Sequence, residues 1–339
     1  MAIARYFVVR IMSMLGILSG VVFLTFAISR LLPSSPVEAL LGGRPTPELI
    51  AAKKAELGLD EGLLTQFFIY IKSLFSGDFG DSLLTGQSVL LDLIERLPVT
   101  LELVTLAIAV SLVVGIPLGV LAALRANKFT DSLIRLGSVA GIAAPVFFLS
   151  VLLQMLFYSH WRLLPLQGRI DSELELDYPF DVVTGFYLID PLLQGNWIAW
   201  WDALQHLILP VLALGIGTAP IFVRLTRNLL IDSLGSEHVK TFQAYRLRKR
   251  DLYGRYALRP ALIPVLTFAG LVYGYMIGNS VFVEFIFDLP GLGGYVVDAL
   301  VANDFNAVMG VTLVLSAIYL MVNLLIDVTY YALDPRLRR

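Results

Sequence analysis

The chain has 339 residues, of which 57 % are apolar and only 15 % charged, with no cysteine and a formal net charge of −2. Soluble domains average about 45–50 % apolar and about 25 % charged. This composition therefore excludes a soluble globular protein and points to an all-α polytopic membrane protein. The charge balance argues for no nucleic-acid partner, and the missing cysteines exclude a disulfide framework, a Cys-based zinc site and a thiol redox pair.

Reading between charges gives six stretches long enough to cross a bilayer: residues 11–29, 103–124, 136–161, 203–223, 260–283 and 305–326. The first follows Arg5 and Arg10 as a signal peptide would, but its 19 uncharged residues exceed an h-region of about 7–15. It is read as a retained span. Alternating the spans from a cytoplasmic N-terminus puts 17 of the 25 Lys and Arg on the inner side. The positive-inside rule then expects both termini in the cytoplasm. The division expected is residues 1–97, the first span with an extracytoplasmic segment; 98–333, a five-helix core; and 334–339, a cytoplasmic tail.

Within the first outer segment, Thr46-Pro47-Glu48 reads as an N-cap, a proline at the first helical position and a first-turn acid, opening a helix that stops near Gly58. Residues 62–75 place Leu63, Phe67, Ile71 and Leu74 on one helical face. They are too few to span, so this helix either lies on the bilayer surface or packs against the bundle. Glu102 reads as a helix-start acid opening the second span. Pro117, Pro145, Pro210, Pro220 and Pro264 each remove a backbone donor within a span and can kink it. Gln154 and Asn279 lie deep enough either to line a translocation path or to hydrogen-bond between helices.

The second outer segment, 162–202, is acidic and ends in Trp197, Trp200 and Trp201, which read as an interfacial belt. The longest cytoplasmic connection is 224–259. Gly235-Ser236-Glu237 reads there as a break, an N-cap and a first-turn acid, and Val239, Phe242, Arg246 and Leu247 share a face of the helix that follows. Asp251 caps a second helix. Such a pair forms a docking surface with apolar knobs and a basic surround, with Phe242 expected to enter a pocket of a partner. The competing reading is that the basic residues only enforce topology. After the fifth span, 283–294 reads as a short non-helical segment dipping back at the outer mouth, with Glu284, Asp288 and Asp298 as solvated loop acids. The three His, at 160, 206 and 238, are too scattered to suggest a metal site, and the dipeptide Gly-Lys of a phosphate-binding loop is absent.

Ser236-Glu237-His238-Val239-Lys240-Thr241-Phe242-Gln243-Ala244, followed by Ala257-Leu258-Arg259-Pro260-Ala261-Leu262-Ile263-Pro264, resembles the cytoplasmic loop of binding-protein-dependent ABC importer permeases. Arg96-Leu97-Pro98-Val99-Thr100-Leu101-Glu102-Leu103, Gly115-Ile116-Pro117-Leu118-Gly119, Thr184-Gly185-Phe186-Tyr187-Leu188-Ile189-Asp190, His206-Leu207-Ile208-Leu209-Pro210 and Pro290-Gly291-Leu292-Gly293 narrow the resemblance to the dipeptide/oligopeptide/nickel permease family. The likeness runs nearly end to end.

It implies the six-helix architecture of a type I ABC importer permease, not an enzyme. This half of a channel pairs with a second homologous permease in the cytoplasmic (inner) membrane. The pair sits on two ABC ATPase subunits and receives a peptide-like solute from an extracytoplasmic substrate-binding protein. No cofactor is bound by this chain; ATP and Mg belong to the ATPases. Glu237, Val239, Phe242, Ala244, Arg246 and Leu247 are then the ATPase-coupling candidates. Glu284, Asp288, Pro290, Gly291, Gly293 and Asp298 are the outer-mouth or gate candidates, and Gln154 and Asn279 the path candidates. The family usually has a small residue at Phe242, a basic one at Gln243 and a glycine at Arg246. These departures suit either a partner-specific dock or a weakened coupling site. The alternatives are a non-transporting scaffold or regulator of the same fold, or an importer of nickel complexes, glutathione or oligosaccharide.

Overall fold

The computed structural model describes residues 2–31, 46–49, 61–245, 247–248 and 250–333. Their secondary structure is helical apart from one isolated antiparallel bridge between Asp81 and Ser88. Among the described residues five helices are long and apolar enough to span, at Val8–Ile28, Val89–Leu124, Trp197–Leu234, Asp251–Ile286 and Phe305–Val328. The expected third span is instead a bent pair. Helix α4 (Phe129–Ala143) meets the next helix, α5 (Val146–Leu153) with its π-helical continuation Gln154–His160, at 100°. Pro145 causes the break. Its ring disfavours helical backbone at the preceding residue, and Ala144 is extended (φ −81°, ψ 119°). Pro210 and Pro220 stay inside one helix, α8 (Trp197–Leu234), and Pro264 inside α10 (Arg259–Ile286).

The chain divides into two compact units, 1–98 with 290–321 and 99–289 with 322–339. In the first unit, α1 (Ala2–Leu31) packs Phe23 and Phe26 against Phe67 of α2 (Leu63–Phe75), at ring separations of 5.8 and 5.2 Å. Of the two readings for α2, packing is realised on this face, while Leu64 and Phe75 remain exposed. The unit's core joins Val89 and Leu93 of α3 (Val89–Leu124), Leu292, Tyr295 and Ala299 of α11 (Leu292–Val301), and Ala307 and Val311 of α12 (Phe305–Leu333). Two buried acids fix it. Asp92 accepts from the Tyr295 and Thr85 hydroxyls at 2.7 and 2.6 Å. Asp304 caps α12 through Ala307 N–H and accepts from the Ser82 hydroxyl and the Leu83 and Leu84 amides.

In the second unit α8 is central, with α4, α5 and α10 around it. Small residues let α3 approach it. A Cβ on Gly115 would lie 2.9 Å from the Ala219 carbonyl oxygen, and one on Gly119 would lie 2.7 Å from that of Val223. Ser111 then bonds across to the Thr218 hydroxyl at 2.7 Å and to the Gly215 carbonyl, which is how small and hydroxyl residues join helices where lipid supplies no hydrophobic drive. Arg227 grips the fully buried Asp131 with two bonds of 2.7 and 2.8 Å.

The 162–202 segment of this unit is anchored by acids. Glu102 is not a helix-start residue, because α3 begins at Val89. It is buried within the helix, accepting from Arg169 at 2.9 Å and from the Leu188 and Tyr187 amides at 2.9 and 3.3 Å. The Arg169 guanidinium lies 3.5 Å from the Tyr187 ring centroid. Asp190 is also fully buried. Burial pushes its carboxyl up, but the Thr184 hydroxyl and the amides of Thr184, Gly185 and Val183 outweigh this and hold it below the ordinary carboxylate value. Trp197 and Trp201 are exposed, whereas Trp200 donates its indole N–H to the Leu188 carbonyl.

Candidate functional site

The 224–259 connection is shorter than its sequence suggested, because both flanking spans extend into it as helices. At about 1.5 Å per residue, the 38 residues of α8 reach well beyond an apolar layer of about 30 Å. On the far side a π-helical run, Asp251–Leu258, leads directly into α10. Asp251 therefore continues a helix instead of capping one. Between these two stalks sits α9 (Glu237–Ala244). Gly235 ends α8, and Ser236 occupies the N-cap position as expected. Its hydroxyl, however, donates back to the Ser233 carbonyl and makes no cap bond.

One face of α9 is fixed. Val239 is completely buried in a cluster with Ala123, Leu230, Leu252 and Ala257. Phe242 is half-buried beside it, its ring 4.4 Å from that of Tyr256. Both side chains thus hold α9 to its own stalks, and the Ser233 hydroxyl adds a bond to the Ala257 carbonyl at 2.8 Å. The opposite face is open. Glu237 is exposed and paired with Lys240 at 2.8 Å, Thr241 and Ala244 are exposed, and Tyr245 is 78 % exposed. The Leu247 amide reaches back to the Phe242 carbonyl. Arg246 lies outside the described residues. The arrangement offers a short polar helix rigidly joined to two spans.

The other candidates fall in different places. Gln154 spends its amide hydrogens on the carbonyls of Leu166 and Ile286, at 3.0 and 3.1 Å, tying elements together. Asn279 lines a cleft of about 370 Å³ beside Pro145, Thr218 and Tyr275, its amide bonded to the Tyr275 carbonyl one turn back. Residues 283–294 are not a non-helical stretch, since α10 continues to Ile286 and α11 starts at Leu292. Glu284 is consequently not a loop acid. It is fully buried in α10, accepting from Thr100 and Ser280. Asp288 is exposed at the turn with φ 50°. In the first unit, Pro290 and Asp298 are exposed, and Gly291 and Gly293 are buried at the start of α11. Among the described residues no group of three or more His, Cys, Asp or Glu could hold a metal ion.

The sequence reading missed the Glu102–Arg169 and Asp131–Arg227 pairs and Tyr245. The pair members are 67 and 96 residues apart, so no spacing rule finds them.

Two family models cover the chain: the binding-protein-dependent transport system inner membrane component over residues 115–339 and its N-terminal counterpart over 3–104. The probable D,D-dipeptide transport system permease protein of Escherichia coli (strain K12) is 41 % identical over 95 % of this chain and 94 % of its own length. The dipeptide transport system permease protein of Alkalihalophilus pseudofirmus is 32 % identical over 97 % and 98 %. That of Escherichia coli (strain K12) is 36 % identical over 94 % of each. With several apolar spans, a helical connection built between two of them, and this match along its length, the chain belongs to the family of binding-protein-dependent transport system inner membrane components, as a multi-pass permease subunit of an ABC importer that works with ABC transporter partners.

Proposed function

We propose that the chain forms half of the translocation channel for a dipeptide-class solute, beside a second homologous permease, with both termini in the cytoplasm. Two ABC ATPase subunits bind ATP and Mg and dock on the cytoplasmic face, and an extracytoplasmic binding protein delivers the solute. The substrate class rests on the relatives, whose names specify dipeptides or D,D-dipeptides. The observation that carries the mechanism is the two-faced helix α9, with Val239 sealed inside and Lys240, Thr241, Ala244 and Tyr245 outside.

An ATPase that grips the outer face of α9 moves a lever. Because Val239 and Phe242 pack on helices continuous with the fourth and fifth spans, a shift of α9 pushes both spans together. The ligand, here ATP on the partner, biases one of two packings of the bundle by binding one better. In this reading Phe242 fastens the lever and Tyr245 meets the ATPase, so the departures from the family pattern describe a partner-specific dock.

The test is co-purification with the ATPases and ATP-dependent dipeptide uptake in proteoliposomes carrying the binding protein. Tyr245→Asp should lose the ATPases while inserting normally. Val239→Ala should retain them but transport less per ATP hydrolysed. Wild-type chain that purifies without an ATPase would sink the proposal.

A further inference from the structure

A second polar concavity, of about 590 Å³, opens in the second unit where the bent third span ends and α8 begins, against the outer segment. Its walls include Tyr158, Arg162, Asp171, Asp202, Gln205 and His206. The coupling machinery uses none of them. This volume falls in the range of small-molecule sites, about 300–1,000 Å³.

The cleft wall carries two complementary kinds of polar group. His206 is nine-tenths buried, with a side chain only 6 % exposed. Its Nδ1 faces both the carbonyl and the carboxylate of Asp202, at 2.9 and 3.2 Å. Two acceptors at one ring nitrogen place the proton there, so in the neutral ring Nε2 is a lone-pair acceptor. Nε2 has no hydrogen-bond partner among the described residues, and it belongs to a buried ring on the cleft wall. Asp202 Oδ2 also accepts from the Asp171 amide, and Asp171 Oδ1 caps the short helix Ser172–Asp177, which leaves one oxygen of each carboxylate for a ligand. That side of the cleft accepts hydrogen bonds and carries negative charge, as an ammonium requires. Arg162 supplies the cationic group. Arg162 is exposed, makes no ion pair among the described residues, and its guanidinium forks as a carboxylate requires. Gln205, whose amide is likewise unused, can serve the peptide bond between them.

We infer that this cleft is an extracytoplasmic binding site for a free short peptide, taking the N-terminal ammonium at His206, Asp171 and Asp202 and the C-terminal carboxylate at Arg162. The inference rests on the substrate class and the topology proposed above, and deepens them. It assigns the permease itself a contact with both charged ends of the solute. A lipid with a primary-amine headgroup shares part of this chemistry, so the test is made without one.

The complex of this chain with its partner permease and ATPases, in phosphatidylcholine nanodiscs and without the binding protein, is titrated with radiolabelled L-Ala-L-Ala and D-Ala-D-Ala. Saturable binding of at least one is expected. N-acetylated and C-amidated dialanine should compete at least about tenfold more weakly, as loss of a charge-assisted bond implies. Arg162→Ala should weaken binding by a similar factor, and Arg162→Lys should recover part of it. Arg162 is at the surface, so its replacement does not threaten folding. Equal binding by wild type and Arg162→Ala, or equal competition by the blocked peptides, would overturn the inference. So would absent binding in a complex that imports the same dipeptide with its binding protein, and the transport reading would then stand. A wild-type complex that neither binds nor imports a dipeptide would overturn both.

Discussion

Glu102 accepts three N–H groups at once, from Arg169, Tyr187 and Leu188. Its side chain is 5 % exposed and that of Arg169 9 %. Glu102→Ala therefore leaves a guanidinium buried without its counter-charge and two amides without their acceptor. Breaking a buried pair by removing one partner costs about 3–5 kcal/mol. Burial already pushes the Arg169 guanidinium below its ordinary value, opposed by Glu102, so the loss falls on a group with little solvent to replace it. The cost is local, because the bonds tie residues 169–188 to one helix. Amide hydrogen exchange on the purified complex, at Tyr187 and Leu188, should accelerate on the order of 10²- to 10³-fold, at about 1.4 kcal/mol per factor of ten. Amides in α4 should keep their protection. The double variant Glu102→Ala, Arg169→Ala should be less damaged than the two single effects added, since it leaves no orphaned charge. Unchanged exchange at Tyr187 and Leu188 in Glu102→Ala would refute the reasoning.

A Cβ at Gly119 would meet the Val223 carbonyl oxygen at 2.7 Å, whereas Gly137 has nothing within 4 Å. Gly119→Ala should cost about 1–3 kcal/mol by overpacking, while Gly137→Ala should be neutral or stabilising by up to about 1 kcal/mol, as thermal unfolding of the complex would register. Asp190 is held below its ordinary value near 3.8, so its stabilising contribution is fully present above that value and disappears as pH falls through the lower, folded-state value. The gap in thermal stability between wild type and Asp190→Asn should therefore be constant at neutral pH and close in acid; a gap that widens on acidification would contradict the assignment. Asp131→Ala should leave Arg227 uncompensated and destabilise by about 3–5 kcal/mol; the melting temperature of the complex reads it, and Asp131→Asn should lose less.

The spans were legible because lipid permits few solutions. With no water to satisfy the backbone, an uncharged run of about 20 residues is a helix. The 100° break at Pro145 was legible only as a possible kink, because proline dictates the residue before it but not how neighbours fill the gap; Pro210 and Pro220 obey the same rule inside one unbroken α8. Helix ends were misjudged where charge was taken for a boundary. Glu102 looked like a helix start, and residues 224–234 looked like loop, because a solvated charge and a buried paired charge are identical in a sequence. Arg169, 67 positions away, is what changes the first, and the α8 stalk leaving the apolar layer is what changes the second. Glu284 was misread for the same reason, its partners Thr100 and Ser280 lying on another helix and one turn back.

The coupling loop shows where periodicity stops being informative. Val239, Phe242 and Leu247 share an apolar face, and an apolar face states only that something covers it. Recognition supplied an ATPase as that cover, while the geometry supplies the chain's own stalks, with Val239 fully buried and Phe242 against Tyr256. The two are compatible only if docking uses the polar face, and this changes what a coupling helix needs. Its exposed residues can follow the ATPase partner, while its buried residues must follow the spans. A substitution on the outer face then alters which ATPase binds, and one on the inner face alters how far the motion carries. Lys240, Thr241, Ala244 and Tyr245 should accordingly tolerate exchange together with the ATPase, while Val239 should tolerate exchange only together with Leu230, Leu252 and Ala257, the side chains that enclose it.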